Sequence, residues 1–292
     1  MENSSSNLSS LPEEDSQNGG TAAQSASKSP SAFSSKPDRP PIQTSSQKYA
    51  PLDWSNYFDQ EDDVHIPDSE NVFHFYKAGN EGPVVLCLHG GGYSGLSFAL
   101  SAKLIKEKAR VVALDLRGHG KSYTENDLDL SIETLCNDVV AVVKTMYGDS
   151  PPAIVMVGHS MGGALAVHIA AKKVLPSLAA LVVVDVVEGT AMASLMHMQQ
   201  ILSNRMYEGL SEKFLASPVP KLFLLAGTDR LDKTLTIGQM QGKFQMVVVR
   251  HTGHAIQEDV PDEFANLILN FISHNRISPH GVVIPGLRRP SQ

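Results

Sequence analysis

The segment IVMVGHSMGGALAVHIAAKK, residues 154 to 173, places a single serine between two apolar patterns. Residues 154 to 157 predict a short buried strand, and the apolar residues after Ser160 recur with roughly helical spacing. The connection between strand and helix is very short. Gly158 and Gly162 permit a tight, strained turn there because glycine has no Cβ. The segment therefore predicts a strand, a sharp turn with Ser160 at its apex, and a helix.

Residues 158 to 162 match the G-x-S-x-G nucleophile elbow, which raises a serine hydroxyl above the edge of a sheet. The N–H groups at the start of the helix would face any negative charge formed there. Such a short pattern also recurs by chance, and the alternative is an ordinary glycine-rich turn whose serine caps the helix. If Ser160 is a nucleophile, the chain must also supply a base, an acid that orients the base, and an oxyanion hole.

Composition limits the classes of function. The chain has 292 residues, 42% of them hydrophobic, which suggests one or two domains with a large core. A net charge of −7 gives no reason to expect nucleic-acid binding, and no apolar run is long enough to span a membrane. The polar N-terminus does not resemble a secretory signal. Cys87 and Cys136 are interpreted as reduced structural thiols of a cytoplasmic or nuclear protein. We see no cluster of metal ligands and expect no cofactor.

Three regions differ in composition. Residues 1–46 are rich in Ser, Asn, Gln and Pro and predict a disordered tail. Residues 47–276 alternate strand-like and helix-like runs, which predicts an α/β fold with a mostly parallel central sheet flanked by helices. Residues 277–292 are assigned to a C-terminal tail. The predicted strands are 72–76, 84–88, 111–114, 154–157, 181–184, 221–225 and 245–249, and the predicted helices are 98–107, 131–146, 161–173, 191–202 and 262–274.

Ligands of open α/β sheets bind at the carboxyl ends of the strands, so the loops that follow strands are the places to search. The loop after residue 88 reads His-Gly-Gly-Gly and resembles an oxyanion loop of lipases and esterases. Gly91 is the preferred N–H donor, Gly92 the next, and the N–H of Met161 the second partner. The alternative interpretation is a flexible glycine turn.

The base is expected after the last strand, because the order of triad residues in this fold is Ser, acid, His. His254 is the preferred base and His251 the alternative, whereas His159 is expected only to pack within the elbow. The acid is less defined by spacing. Asp185 ends one predicted strand, and Asp229 follows the next strand at the position where the acid is more common, which slightly favours Asp229.

Specific stretches of the chain resemble the protein phosphatase methylesterase family. The strongest are GHSMGGALAVH (158–168), LVVVDVVEGTAM (181–192), AGTDRLDKTLTIGQMQGKFQM (226–246) and TGHAIQEDVPD (252–262), and the similarity covers roughly residues 51 to 276. The resemblance implies an α/β-hydrolase fold and removal of a methyl ester from the C-terminal leucine of the protein phosphatase 2A catalytic subunit. It also implies Ser160 as nucleophile, His254 as base and Asp185, rather than Asp229, as acid.

The chain departs from this family at one place. Members carry a long insertion between the helix after DVVEGTAM and the strand before AGxDRLD, whereas here residues 196–206 lead almost directly into that strand. Most of the helical lid is therefore expected to be missing. Two alternative functions remain open: a phosphatase-binding regulatory form with reduced turnover, and a small-molecule esterase of the same fold.

Overall fold

The structure is a computed structural model that describes residues 53 to 188, 191, 204 to 227 and 231 to 282. Eight strands form one sheet, and two more form a hairpin. The strands are β1 (Gln60–His65), β2 (Val72–Ala78), β3 (Val84–Leu88), β4 (Arg110–Leu114), β5 (Ile154–His159), β6 (Leu178–Val184), β7 (Lys221–Leu225), β8 (Gln245–Val248), β9 (Ile277–Ser278) and β10 (Gly281–Val282).

Seven α-helices are described alongside these strands. They are α1 (Ala99–Ile105), α2 (Ile132–Tyr147), α3 (Met161–Lys172), α4 (Leu210–Ala216), α5 (Lys233–Met240), α6 (Ile256–Asp259) and α7 (Pro261–His274). Short 3-10 turns cover Trp54–Asn56, Gly95–Phe98 and Asn204–Met206. Across the described ranges, no helix has both the length and the apolar character needed to cross a bilayer. The predicted helix at 191–202 lies almost wholly outside the described residues.

The order of strands in the sheet is β1-β2-β4-β3-β5-β6-β7-β8. The six strands β4, β3, β5, β6, β7 and β8 run parallel to one another, and β2 is antiparallel to both β1 and β4. This confirms the predicted mostly parallel sheet. Because the strands are parallel, the loops after β3, β5, β6 and β8 all leave from the same edge, and these are the loops in which the sequence places the candidate site.

The core has two layers, one on each face of the sheet. Leu86 and Leu88 of β3 pack with residues of α2 and α3, whereas Val85 and Cys87 pack with residues of α1 and α7. Successive side chains of a strand point to opposite faces, so an uninterrupted apolar strand is buried on both sides. Both cysteines are buried and free, Cys87 in one layer and Cys136 in the other.

Strand β1 was not predicted from the sequence. Its residues are QEDDVH, and only Val64 is buried. The strand lies at the edge of the sheet, where its exposed face tolerates charge. Its carboxylates contact the buried His74 of β2, with Asp63 Oδ1 2.7 Å from Nδ1 and Glu61 Oε2 3.2 Å from Nε2. Polar contacts rather than apolar periodicity therefore stabilise this edge.

Residues 277 to 282, which the sequence analysis assigned to the C-terminal tail, form the hairpin of β9 and β10. Ile277 is buried, and the carbonyl oxygen of Pro279 accepts a hydrogen bond from the N–H of Ala153 at 2.9 Å. Because Ala153 immediately precedes β5, the hairpin packs against the opposite edge of the sheet from the candidate site.

Candidate active site

Ser160 occupies the turn between β5 and α3 and has φ 51° and ψ −115°, a left-handed backbone conformation that is unfavourable for serine. Its N–H donates to the carbonyl oxygen of Val184 at 3.0 Å, which joins the turn to the end of β6. At Gly162, a Cβ would lie 2.1 Å from the carbonyl oxygen of Leu88. Glycine is therefore required for α3 to start this close to β3. The local geometry is that of the elbow predicted from the sequence.

Asp185 and His254 are brought together although they are far apart in sequence. Asp185 directly follows β6, is 3% exposed and also has a positive φ of 47°. The Nδ1–H of His254 donates to Asp185 Oδ2 at 2.7 Å, and Asp185 Oδ1 accepts the N–H of Ala226 at 3.0 Å. These contacts fix the imidazole with a proton on Nδ1, so that Nε2 is the nitrogen free to accept a proton.

The alternatives for the base and the acid do not gain comparable contacts. His251 is exposed, and within the described ranges its side chain has no hydrogen-bond partner. Asp229 lies outside the described residues. The only sequence-predicted acid that the structure describes is thus the one already paired with His254.

Ser160 lies beside this pair without being hydrogen-bonded to it. In the part of the chain that the structure describes, no hydrogen bond joins its hydroxyl to the His254 imidazole, and the hydroxyl does not cap α3. The adjacent His159 ring, however, lies 4.6 Å from the His254 ring between centroids. Contacts of this kind often tighten only when substrate binds, so the open geometry is compatible with proton transfer.

The loop after β3 is fixed by His89. Its Nε2 accepts the N–H of Leu116 at 3.0 Å, so Nδ1 must carry the proton, which it donates to the carbonyl oxygen of Gly90 at 2.8 Å. Burial lowers the pKa of His89 to about 4, which keeps the ring neutral. Farther along, Asp115 Oδ1 accepts the N–H of Gly95 at 2.6 Å. The glycine loop is therefore held at both ends.

The predicted oxyanion donors lie on neighbouring backbone segments. A Cβ on Gly90 would be 3.2 Å from Ser160 Cβ, and one on Gly91 would be 3.8 Å from Met161 Sδ. Gly91 and Gly92 are exposed, and across the described ranges their N–H groups donate to no protein acceptor. Met161 is the first residue of α3, where N–H groups have no partner within the helix. These donors are thus available beside Ser160.

Sequence reasoning missed a role for Glu188, three residues after Asp185. Its carboxylate accepts the N–H groups of Gly209 at 2.9 Å and of Ser211 at 3.1 Å. These are the first donors of α4, so Glu188 stabilises the start of that helix and its positive dipole end. No local spacing reveals this contact, because the partners are about twenty residues apart and belong to different elements.

Taken together, a parallel α/β sheet, a serine elbow at its carboxyl edge and an Asp–His pair across from the serine define an α/β hydrolase. The family model described as "Alpha/beta hydrolase family" matches residues 85–205 of this chain. A thioesterase domain from the curacin biosynthetic pathway has a TM-score of 0.56 at 22% identity, over 72% of this chain and 98% of that one. E-2-(acetamidomethylene)succinate hydrolase has a TM-score of 0.57 at 18% identity, over 73% and 99%. At these identities the neighbours show the fold alone.

Relatives with higher sequence identity narrow the class of hydrolase. Protein phosphatase methylesterase 1 of Mus musculus is 37% identical over 79% of this chain and 86% of its own length. The Homo sapiens protein of that name is 36% identical over the same shares, and the Schizosaccharomyces pombe one is 35% identical over 77% and 85%. The chain belongs to the protein phosphatase methylesterase family and is an esterase with the α/β-hydrolase fold.

The chain is shorter than these relatives within the aligned region. The mouse alignment runs over 333 positions, whereas 79% of the 292 residues is about 231 residues, so about 100 alignment positions have no counterpart here. The missing insertion expected from the sequence would account for a difference of this size. Residues 185 to 220 connect β6 to β7, and their described part contains the helical residues Glu188 and Ala191, the 3-10 turn at Asn204–Met206 and the two-turn helix α4.

Proposed function

We propose that this chain removes the methyl ester from the C-terminal leucine of the protein phosphatase 2A catalytic subunit, with Ser160 as nucleophile, His254 as base and Asp185 as acid. The observation that carries this assignment is the 2.7 Å hydrogen bond between His254 and Asp185 beside the strained Ser160 turn. The names of the relatives supply the class of substrate, a methyl ester on a protein phosphatase.

The reaction is a two-step acyl transfer. Ser160 Oγ attacks the ester carbonyl while His254 Nε2 takes its proton, and Asp185 stabilises the imidazolium. The N–H groups of Met161 and of Gly91 or Gly92 hold the oxyanion of the tetrahedral intermediate. The intermediate collapses by releasing methoxide, which leaves as methanol with the proton from His254. Water, deprotonated by His254, then attacks the acyl-enzyme and frees the C-terminal carboxylate and Ser160.

The direct test is incubation of the full chain with methylated phosphatase, with loss of the methyl group measured over time. We expect demethylation by the wild type and none by Ser160→Ala. A fluorophosphonate probe supplies the matched chemical readout, since it should label the wild type and not the variant. Equal labelling of Ser160→Ala would refute Ser160 as nucleophile.

A second candidate function follows from the shorter chain. In this alternative, the chain binds the phosphatase but removes its methyl ester slowly. The roughly 100 alignment positions that have no counterpart here favour it. Binding of the phosphatase without methyl loss would select this alternative, whether or not a small activated ester is hydrolysed. A small-molecule esterase would instead hydrolyse the small ester without binding the phosphatase.

A further inference from the structure

His159, at the end of β5, makes a hydrogen bond that its expected packing role does not require. The residue is fully buried, and its Nε2 lies 2.9 Å from the carbonyl oxygen of His254. Because a carbonyl oxygen only accepts, Nε2 must carry the proton and donate it. Nδ1 then has only a lone pair, and within the described residues it finds no partner.

The same ring contacts two further parts of the site. Its centroid is 4.6 Å from that of the His254 ring, with planes tilted by 52°, and 5.4 Å from that of Tyr93 in an edge-to-face arrangement at 86°. Tyr93 follows the glycine loop, and a Cβ on Gly90 would lie 3.0 Å from His159 Nδ1. This side chain of the elbow thus contacts both the loop that carries His254 and the segment that contains the glycine loop.

We infer that His159 is a positioning residue, which holds the His254 loop against the elbow so that the imidazole stays between Asp185 and Ser160. The inference rests on the proposed role of His254 as base. Asp185 fixes the imidazole of His254 through Nδ1, and His159 fixes the backbone of the same residue through its carbonyl oxygen. With both contacts, neither the ring nor its backbone can move away independently.

The protonation state of His159 suits this role. Burial, together with the smaller effect of the nearby His254, lowers its pKa to about 4. The ring is therefore neutral at the pH at which a histidine base works, and it donates a hydrogen bond without placing a second positive charge beside the imidazolium that forms during catalysis.

The His254 loop has another anchor, so removal of the His159 contact need not unfold it. Asp259 Oδ2 accepts the N–H of Gly253 at 2.6 Å and the hydroxyl of Thr252 at 3.1 Å. A variant without the His159 donor should keep the loop attached but let His254 drift. Small displacements of a catalytic group from its productive geometry cost up to about a hundredfold in rate.

The experiment compares His159→Leu and His159→Gln in the full-length chain. Leucine fills space but cannot donate, whereas the glutamine amide can replace the Nε2–H donor. The matched controls are His168→Leu and His168→Gln. His168 lies on α3, is also buried, and donates Nε2–H to the carbonyl oxygen of Met206 at 2.9 Å, a bond of the same kind that does not involve His254.

We expect His159→Leu to lower kcat on a small activated ester about ten- to a hundredfold, with KM within about twofold, and to slow fluorophosphonate labelling in parallel. His159→Gln should recover most of the loss. The downfield proton resonance of the His254 Nδ1–H, which reports its bond to Asp185, should broaden or vanish with leucine and persist with glutamine. The His168 variants should change the melting temperature alone.

Three results would overturn the inference. The first is a folded His159→Leu with wild-type kcat and an unchanged Nδ1–H resonance. The second is a His159→Gln that loses as much kcat as His159→Leu although it is folded, since the hydrogen bond would then not be the cause. The third is an equal loss of kcat in His168→Leu. Failure of the proposed function is separately visible, because Ser160→Ala would then keep reacting with the probe.

Discussion

At the level of single residues, the acid of the proposed triad can be tested by paired substitutions. Asp185→Asn should lower kcat on a small ester by roughly ten-thousandfold, because an amide holds the wrong tautomer of the base and cannot stabilise its positive charge. Asp229→Asn should stay within about tenfold of the wild type. Steady-state kinetics on variants with wild-type circular dichroism spectra provides the measurement. A larger loss in Asp229→Asn would mean that the acid follows β7 rather than β6.

The buried histidines His89 and His159 predict how stability depends on pH. Burial lowers the pKa of each from 6.5 to about 4. Between these values the unfolded chain binds protons that the folded chain does not, so the free energy of unfolding falls as the pH falls. The loss should be complete near pH 4 and on the order of 3 kcal/mol for each histidine.

This dependence can be measured by urea unfolding at a series of pH values. His159→Gln removes one of the two buried groups, so its curve should be shallower by up to about 1.4 kcal/mol per pH unit between pH 6 and pH 4.5. Above pH 7.5 the wild-type and variant curves should run parallel, which provides the internal control. Parallel curves across the acid range would show that His159 titrates equally in the folded and unfolded chains.

Among the structural elements, the elbow makes the sharpest demand on sequence. Gly162→Ala would place a Cβ 2.1 Å from the carbonyl oxygen of Leu88 and 2.6 Å from that of His89, both backbone atoms that cannot turn away. We expect a loss of about 3 kcal/mol or more in the free energy of unfolding. Gly91→Ala is the matched control, because its Cβ would make only an ordinary 3.8 Å contact with Met161 Sδ.

Thermal and urea unfolding of these two glycine variants decides the matter. Gly91→Ala should stay within about 0.5 to 1 kcal/mol of the wild type. A loss of stability in Gly162→Ala as small as that in Gly91→Ala would show that α3 can shift away from β3 and that the close approach is not needed.

The elements differ in how far the sequence predicted them, for physical reasons. β3, β5 and β7 are buried on both faces, and their continuous apolar runs predicted their positions. β1 was missed because its structure depends on pairing with β2 and on contacts with His74, which a pattern of local hydrophobicity does not contain. The short helix α4 was missed likewise, since Glu188 stabilises its start from another segment.

In the candidate site, too, features within one contiguous segment were predicted from the sequence, and features that depend on distant contacts were not. The elbow is a contiguous pattern, so Ser160 and its glycines were predicted from a few adjacent residues. The partner of His254 depends on how two distant loops meet, and spacing left both Asp185 and Asp229 open until the family resemblance favoured Asp185. The contact of His159 with the His254 backbone was not predicted, because no sequence pattern reports which carbonyl oxygen a buried histidine will reach.

For the whole molecule, the absence of the insertion that we expect to be missing between β6 and β7 should separate two activities. The residues of the proposed triad lie on loops anchored by the sheet, and surface segments tolerate changes in length. Recognition of a protein C-terminus needs a pocket and enough contact area to offset the cost of association. We expect hydrolysis of a small activated ester to persist, and demethylation of the phosphatase to be at least about tenfold slower than in a form that carries the full insertion.

Both substrates should be measured on this chain and on a chimaera in which the corresponding segment of the mouse relative is placed between β6 and β7. The small ester is the control, since its turnover should be similar in the two proteins. Equal demethylation rates would show that the insertion is dispensable. A folded short chain that is inert on both substrates would favour the regulatory alternative.

The left-handed backbone at Ser160 has a consequence for laboratory evolution of a more heat-stable protein. At φ 51° this position suits glycine better than serine, by roughly 1 kcal/mol. A screen that rewards survival of heating alone would therefore accept Ser160→Gly among its early winners. Its most heat-resistant clones would be inert scaffolds, so ester turnover must be scored in every round.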